Sequence, residues 1–229
     1  GMETKEEDVV ERLLTCNPHA QLLFFTNAGK IYQVPVYDVP EGSRISKGKQ
    51  IFNVLSMNQA EQVTSMLAIG KKKKKEAGND FVVMLTKNGI IKKVPASSFE
   101  NVRRNGLIAI TLNSGDRLGW ARRTSGHDQL LLVTKKGQAI RFKEAEIRAM
   151  GRQAAGVRAI RLKKDDEVIG MEILENEKIS AKGGLPPKNG QIAAGGKNQS
   201  AGMQTNLLVM MENGYGKQTP LKQYKIQKR

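Results

Sequence analysis

A four-part pattern recurs along the chain and constrains its fold more than any other feature of the sequence. The first part is an apolar run that leads into a polar turn ending in glycine and then into a second strand-forming run. It occurs at residues 22–32, 82–94, 130–142 and 207–219. The tight turn of a hairpin needs a residue that tolerates positive φ. The turn glycines therefore predict four β-hairpins, at Gly29, Gly89, Gly137 and Gly214.

The rest of the pattern follows each of the first three hairpins. A second glycine comes 17 to 19 residues after the turn glycine, and after it an apolar run, an acidic turn and a closing apolar run. The second glycines are Gly48, Gly106 and Gly156, the next strands are predicted at 50–55, 107–112 and 157–162, and the closing strands at 61–69, 116–122 and 166–174. Four strands in about 48 residues are typical of a propeller blade. The sequence therefore predicts an all-β, propeller-like disc of four-stranded blades, and first strands that are apolar on both faces indicate blades packed between neighbours.

Two polar tracts account for the departures from a 48-residue spacing. Residues 70–80 contain five consecutive lysines, and residues 176–203 are rich in glycine, lysine and asparagine without apolar periodicity. We interpret them as a Lys-rich insert and a flexible Gly-rich insert. The chain then forms a single domain over residues 7–229. Its repeats lie at about 17–69, 81–122, 128–174 and, incomplete, 205–229.

The two ends of the chain match unequal parts of the pattern. Residues 7–16 resemble the closing strand of a repeat, and the last repeat stops before its second glycine. We therefore predict that the first segment pairs with the last hairpin in a composite blade. Residues 1–6, which begin with Gly1 before Met2, are interpreted as the remnant of an expression tag and a tail.

The charge balance indicates a polyanionic partner. Lys and Arg number 38 against 22 Asp and Glu, which gives a net charge of +16. This excess favours nucleic acid over a membrane surface, and no apolar run approaches the length of a membrane span. The single cysteine, Cys16, excludes an internal disulfide framework and is typical of a reducing cytoplasm. Since the only histidines are His19 and His127, and P-loop patterns are missing, the sequence predicts neither a zinc cluster nor a cofactor.

Basic residues recur around the second glycine of the first three repeats and at the corresponding place in the incomplete fourth repeat. They are Arg44, Lys47, Lys49, Arg103, Arg104, Arg152, Arg158, Lys225, Lys228 and Arg229. A basic loop at a fixed offset in every blade predicts a curved track of charge, which can hold the phosphates of duplex DNA without reading bases. A second set just past the hairpin turns is predicted to contact DNA or, alternatively, to form salt bridges across blades: Lys30, Lys92, Lys93, Arg141 and Lys143. The run Lys71–Lys75 either adds non-specific DNA affinity or keeps its insert soluble.

Through these motifs the sequence resembles the C-terminal domain of the DNA gyrase A subunit, part of a bacterial type IIA topoisomerase. The matching motifs are LLFFTNAGKIYQVPVYDVPEGSR (22–44), SKGKQIFNVL (46–55), TKNGIIKKVPASSFENVRRNGLIAITL (86–112), RFKEAEIRAMGRQAAGVRAIRL (141–162) and ENGYGKQTPLKQYKIQKR (212–229). The resemblance implies a β-pinwheel, a disc whose blades exchange strands with their neighbours and whose basic rim wraps double-stranded DNA. The C-terminal domain of topoisomerase IV shares this fold and is the close alternative.

The resemblance also implies a division of labour. It implies a non-catalytic domain without a cofactor that supports negative supercoiling in the bacterial cytoplasm, at the nucleoid. Its partners would be the gyrase B subunit, in which ATP is hydrolysed, and the N-terminal cleavage domain of the polypeptide to which it belongs. None of Tyr32, Tyr37, Tyr215 and Tyr224 would then be the strand-cleaving tyrosine. A propeller that scaffolds proteins is a second class of function, and mixed or apolar patches on the disc would distinguish it from a DNA-binding rim.

Overall fold

The computed structural model describes residues 10, 13–43, 45–70, 80–175 and 205–229. In these ranges the chain is all-β, with thirteen strands and a few single turns of 3-10 helix. The strands are β1 (Gln21–Thr26), β2 (Lys30–Pro35), β3 (Val63–Ile69), β4 (Phe81–Thr86), β5 (Ile90–Pro95), β6 (Leu107–Ile108), β7 (Leu118–Thr124), β8 (Gln129–Thr134), β9 (Ala139–Lys143), β10 (Val157–Arg158), β11 (Val168–Leu174), β12 (Asn206–Met210) and β13 (Gly216–Pro220). The helical turns of three or four residues in this part of the chain are too short to cross a membrane.

Four antiparallel sheets follow one another along the chain, and we call them blades 1 to 4. Their strand orders are β3-β1-β2-β6, β10-β5-β4-β7, β11-β8-β9 and β12-β13. At the centre of each blade lies the predicted hairpin. All four turn glycines adopt positive φ, between 75° and 81°, which confirms the turns expected from the sequence.

Neighbouring blades exchange a strand. β6 belongs to the second repeat but pairs with β2 of blade 1, and β10 of the third repeat pairs with β5 of blade 2 in the same way. Each exchanged strand follows a second glycine in the left-handed region, Gly106 with φ of 75° and Gly156 with φ of 97°. The structure thus shows four-stranded blades closed by the following repeat for blades 1 and 2, whereas blades 3 and 4 have three and two strands in the described ranges.

The third strand of the sequence pattern is shorter than predicted. The runs at 107–112 and 157–162 form strands of only two residues, because only two residues pair with the edge of the preceding hairpin. The run at 50–55 forms a 3-10 turn at Ile51–Asn53 instead of a strand, so that prediction is wrong. The strands β6 and β10 each pair with the hairpin of an earlier repeat, and the described ranges contain no such earlier hairpin for this run.

Proline ends the second hairpin strand in three blades, as expected of a residue without an N–H donor. Pro35, Pro95 and Pro220 are the last residues of β2, β5 and β13. Each is followed by a 3-10 turn, at 36–38, 96–99 and 221–223. The third blade has the same turn at 144–146, after Lys143.

The core lies between the blades. Val82 and Met84 of β4 pack into one cluster with blade 1, which includes Leu23 and Phe25. The alternate residues, Val83 and Leu85, pack into a second cluster with Leu130, Leu132 and Phe142 of blade 3. Both faces of β4 are buried, one against blade 1 and the other against blade 3. This explains why the apolar run of the strand is continuous, as the sequence analysis expected.

The last hairpin and the first segment are more exposed. Leu208 and Met210 of β12 are 65% and 62% exposed, and in the described ranges β12 and β13 pair only with each other. Residues 13–16 form no strand, and Leu14 packs against the outer cluster of blade 1. The composite blade predicted for this segment is therefore not formed by its residues 13–16. The tail at 1–6, the lysines at 71–75 and the Gly-rich insert at 176–203 lie outside the described residues.

Candidate nucleic-acid interface

Basic side chains lie on equivalent tight turns of the second and third repeats. The amide of Gly106 donates to the carbonyl of Arg103 at 2.9 Å, which places Arg104 at the second position of a turn. In the third repeat the amide of Ala154 donates to the carbonyl of Gly151 at 3.2 Å, and Arg152 occupies that second position. Arg103 and Arg104 are exposed and Arg152 is half-buried. The turn geometry therefore repeats from blade to blade, and the basic residue repeats with it.

The first repeat carries two of its predicted cations on the surface. Lys47 and Lys49 are exposed, just after a turn in which the amide of Ser46 donates to the carbonyl of Ser43 at 3.0 Å. Arg44 lies outside the described residues. We call the segments 43–49, 100–106, 147–156 and 224–229 the basic loops.

The structure brings Arg158 and Arg229 together. The guanidinium of Arg229 donates to the carbonyl oxygens of Arg158 at 2.9 Å and of Glu146 at 3.3 Å. Arg158, on the exchanged strand β10, and Arg229 are both exposed, as are Lys225 and Lys228. The last basic loop thus contacts blade 3 through Arg229, and Lys225 and Lys228 of the same loop are exposed.

Of the lysines in the second predicted set, Lys143 and Lys30 remain accessible at the surface, and the Lys30 side chain is 41% exposed. Lys143 is exposed. Lys30 donates to Glu61 Oε1 at 2.8 Å, and this hydrogen bond raises the pKa of Lys30. Glu61, which is 7% exposed, also accepts a hydrogen bond from Thr26 at 3.0 Å. The ion pair lies within blade 1, and not across blades as the alternative prediction had it.

Lys93 is buried and forms the predicted salt bridge across blades. Its ammonium lies 3.7 Å from Oε1 of the fully buried Glu144, which belongs to the next repeat. It also lies 4.9 Å from the centre of the Phe81 ring. Glu144 accepts further hydrogen bonds from the Thr124 hydroxyl at 2.8 Å and the Gly126 amide at 3.0 Å. The expectation that Lys93 contacts DNA is wrong, because burial removes its ammonium from the surface.

Lys92 is fully buried and has no carboxylate partner among the described residues. Its ammonium donates to the carbonyl oxygens of Ala109 and Ala154, both at 2.8 Å, and to that of Arg152. Burial lowers the pKa of Lys92 to about 8. This side chain is also unavailable to DNA, so its prediction as a contact is corrected in the same way.

Arg141 is turned toward the last repeat. Its Nη1 donates to the carbonyl oxygens of Leu221 at 3.1 Å and Tyr224 at 3.2 Å, and its Nε donates to Gln129 at 2.9 Å. Half-buried and so engaged, Arg141 links two repeats instead of presenting a free cation.

Several exposed cations were not among the predicted contacts. Arg148 lies in the third basic loop, and backbone pairing shows it to be equivalent to Lys225. Ala149 and Ile226, which follow these two residues, bridge to Lys93 and Arg141 respectively. Arg148 could have been predicted from the sequence, because it lies in the same loop as Arg152. Arg161, Lys163 and Lys164 are exposed too, but the second repeat has no basic residues in their places, so a search for recurrence passed over them.

The described residues hold no group of three His, Cys, Asp or Glu side chains that could bind a metal ion. What the site offers is therefore charge and backbone geometry. Exposed guanidinium and ammonium groups on successive turns can bind a polyanion, and guanidinium binds phosphate in a bidentate way.

Curated relatives of this chain include DNA gyrase A proteins of two staphylococci. The chain is 36% identical over its whole length to the DNA gyrase A protein of Staphylococcus epidermidis and to that of Staphylococcus aureus. It spans 22% of the length of the first and 23% of the second.

Two solved structures share the fold. The C-terminal domain of DNA topoisomerase IV matches 93% of this chain and 57% of its own, with a TM-score of 0.74 and 23% identity. The DNA gyrase A C-terminal domain matches 93% of this chain and 59% of its own, with a TM-score of 0.67 and 20% identity.

The sequence profile of one family covers most of the described chain. The family is described as the DNA gyrase C-terminal domain, a β-propeller, and it matches residues 20–69, 80–125, 128–175 and 205–229. These four matches correspond to the four repeats of the sequence. The chain belongs to the DNA gyrase C-terminal domain family.

Proposed function

We propose that this domain binds duplex DNA along its sugar-phosphate backbone, as the non-catalytic DNA-wrapping domain of a gyrase A subunit. The observation that supports it most is the pair of equivalent turns at 103–106 and 151–154, each with arginine at its second position. Family membership adds to this support, and so does the net charge of +16.

Distributed phosphate contacts suit the wrapping of DNA around a disc. Smooth bending of a short duplex by 40–90° costs roughly 1–6 kcal/mol. Several phosphate contacts, each releasing counterions, can offset that cost, whereas one or two cannot. Because phosphates carry no sequence information, binding should discriminate weakly between sequences.

In the whole protein the domain would deliver a curved DNA segment to the cleavage domain. Strand cleavage would take place there, and ATP hydrolysis in the gyrase B partner. In this proposal the wrapping domain needs no cofactor and works in the bacterial cytoplasm. The chirality of the wrap is what would favour negative supercoils.

Charge reversal in one basic loop tests the proposal. Changing Arg103→Glu and Arg104→Glu together should weaken duplex binding by at least about tenfold, because both side chains are exposed on the turn. The matched control is Lys163→Glu with Lys164→Glu, which makes the same change in charge at exposed positions outside the basic loops. Fluorescence anisotropy with a labelled linear duplex measures both affinities, and the melting temperature of each variant verifies folding.

The control should lose less than about threefold in affinity. Equal losses in the two variants would mean that net charge, and not the basic loop, determines binding, and this would refute the site. A wild-type domain that does not bind duplex DNA at low salt would refute the function itself.

A further inference from the structure

Each basic loop from the second repeat onward is held by the blade before it, from one or both of two equivalent positions. These are the third and fourth residues after the turn glycine, on the second strand of the preceding hairpin. The pairs are Tyr32 and Gln33, Lys92 and Lys93, and Ile140 and Arg141. In the second pair both residues are lysines, and both are buried.

Lys92 holds the part of the third basic loop that bears Arg152. Two of its three acceptors, the carbonyl oxygens of Arg152 and Ala154, belong to that loop. The third acceptor, the carbonyl oxygen of Ala109, belongs to the segment just after β6. One ammonium group therefore joins β5 to two consecutive repeats, at the turn that presents a predicted phosphate contact.

Lys93 holds the start of the same loop. Its carbonyl oxygen accepts a hydrogen bond from the Met150 amide at 2.8 Å, and its ammonium donates to the carbonyl oxygen of Glu144 at 3.2 Å. Thr111 adds a tie from the neighbouring segment, since its hydroxyl donates to the carbonyl oxygen of Gln153 at 2.7 Å. The loop is thus anchored on both sides of Arg152, and Lys92 makes the contact on the residue itself.

The other blades achieve the hold with different chemistry. The side chain of Gln33 bonds the backbone of the second basic loop, at Glu100 and Val102, with distances of 3.3 and 2.9 Å. The ring of Tyr32 lies against Gly106. In blade 2 the third residue after the turn glycine is a buried cation, Lys92. Among the described contacts of the blades, it is the only residue at this position that is a buried cation without a carboxylate partner.

Stability alone does not account for a charged group there. Burying an ammonium away from water is costly, and an apolar side chain of similar shape is often as stabilising. What an apolar side chain cannot do is satisfy three carbonyl oxygens that come from two segments. The three hydrogen bonds of the ammonium group therefore favour one position of the loop.

We propose that Lys92 is a positioning residue for DNA binding, which fixes the third basic loop so that Arg152 meets a phosphate without first being ordered. This proposal rests on the function proposed above. Since Lys92 is fully buried, it cannot act as a phosphate contact itself. Its effect on affinity must pass through the loop, and chiefly through Arg152.

A double-mutant cycle tests this coupling. Lys92→Met removes the ammonium and retains most of the side-chain volume, and Arg152→Gln removes the proposed contact. Each single variant should bind duplex DNA about three- to tenfold more weakly than wild type. In the Arg152→Gln background, Lys92→Met should have almost no further effect, because the contact that it positions is already lost. Additive losses would overturn the proposal, as would unchanged binding by Lys92→Met.

Hydrogen exchange of the free protein provides the readout that does not depend on DNA. Amides of residues 150–156 should exchange faster in Lys92→Met, whereas those of the equivalent loop at 100–106 should be unchanged. If Lys92→Met left the protection of both loops the same as in wild type, or lowered it equally in both, the proposal would be overturned even if DNA affinity fell. Lys92→Gln, which keeps a shorter neutral donor, is the second variant if Lys92→Met does not fold, and it should show the same loop-specific exchange. If Lys92→Met loosened the loop but the wild-type domain did not bind DNA, the proposed DNA-binding function would be wrong, and not the role of Lys92 in holding the loop.

Discussion

At the scale of single residues, burial separates lysines that the sequence makes look alike. Lys92, Lys93 and Lys143 all follow hairpin turns, yet only Lys143 reaches the surface. Whether such a lysine is buried depends on the neighbouring repeat, which supplies Glu144 for Lys93 and backbone carbonyls for Lys92. The sequence identified these positions as basic, but long-range packing determined what each does.

Glu61 shows how a buried carboxylate depends on the partly exposed lysine with which it pairs. Burial alone would raise the pKa of Glu61, but hydrogen bonds from Lys30 and Thr26 outweigh it and lower the pKa below its usual value of 4.5. A carboxyl group whose pKa is depressed in the folded state stabilises the fold fully at pH values above its pKa in the unfolded state. This stabilisation is lost as the pH falls through its pKa in the folded state.

Glu61→Gln should therefore reduce the free energy of unfolding by about 1–3 kcal/mol near neutral pH. The difference from wild type should shrink as pH is lowered below 4.5, because the wild-type carboxyl then takes up a proton as well. Urea unfolding at a series of pH values measures it. The exposed Glu41 provides the control, Glu41→Gln, which should match wild type throughout. A deficit in Glu61→Gln that stays constant into acid would contradict the assignment of the stabilisation to the ionised carboxylate.

At the scale of elements, turn chemistry was predictable and strand length was not. The hairpins follow from glycines that must adopt positive φ, and the strand ends follow from proline. The exchanged strands β6 and β10 contain two residues each, although the apolar runs that predicted them are longer. Their length is set by how much of the neighbouring hairpin edge they can pair with, and local sequence does not record that.

Gly106 precedes the exchanged strand β6, and a substitution there tests how closely the repeats fit. A Cβ atom on Gly106 would lie 2.7 Å from Cε1 of Tyr32, on the preceding blade. Gly106→Ala should cost about 1 kcal/mol for its positive φ and a further 1–3 kcal/mol, roughly, for the overpacking against the ring. Chemical denaturation measures the total.

Gly115 offers a matched comparison for that experiment. Its φ is 76°, against 75° for Gly106, and a Cβ atom there would meet nothing within 4 Å. Gly115→Ala should therefore show only the backbone cost. If the two variants lose the same stability, the contact between Gly106 and Tyr32 does not constrain the strand exchange.

At the scale of the whole molecule, the family and the disc-like architecture were predictable because a repeat multiplies weak local signals. Each hairpin is an ordinary motif, but its recurrence in four repeats, with the following parts at similar distances in the first three, predicted the fold class. The family match agrees with this fold class. The placement of basic loops on successive repeats likewise followed from the offset. How each loop is anchored did not, because the anchoring side chains differ from one blade to the next.

Distributed binding by several repeats predicts a strong dependence on salt. The logarithm of affinity falls against the logarithm of salt concentration with a slope of about −0.9 per phosphate contacted on B-DNA. Contacts from three or more basic loops should give a slope of about −4 or steeper. Titrations of a labelled duplex at several potassium chloride concentrations measure it, with a scrambled sequence of equal length as the control. A slope equivalent to one or two phosphates would be incompatible with wrapping.

Relaxed circular DNA distinguishes a wrap from a clamp. In the presence of a nicking-closing enzyme, chiral wrapping should shift the linking number in proportion to the bound domain. Tight, salt-dependent binding without a shift would instead support a clamp of the kind implied by the resemblance to topoisomerase IV.

The strand exchange puts the covalent repeat and the folded blade out of phase. Blade 1 is completed by β6 and blade 2 by β10, so one edge of both these sheets is supplied from farther along the polypeptide. A gene duplication that adds one unit of sequence would not add one self-contained sheet. The added repeat would supply the closing strand of the preceding sheet, and its own sheet would need a strand from the repeat that follows. Each added repeat is therefore joined to both of its neighbours by strand exchange.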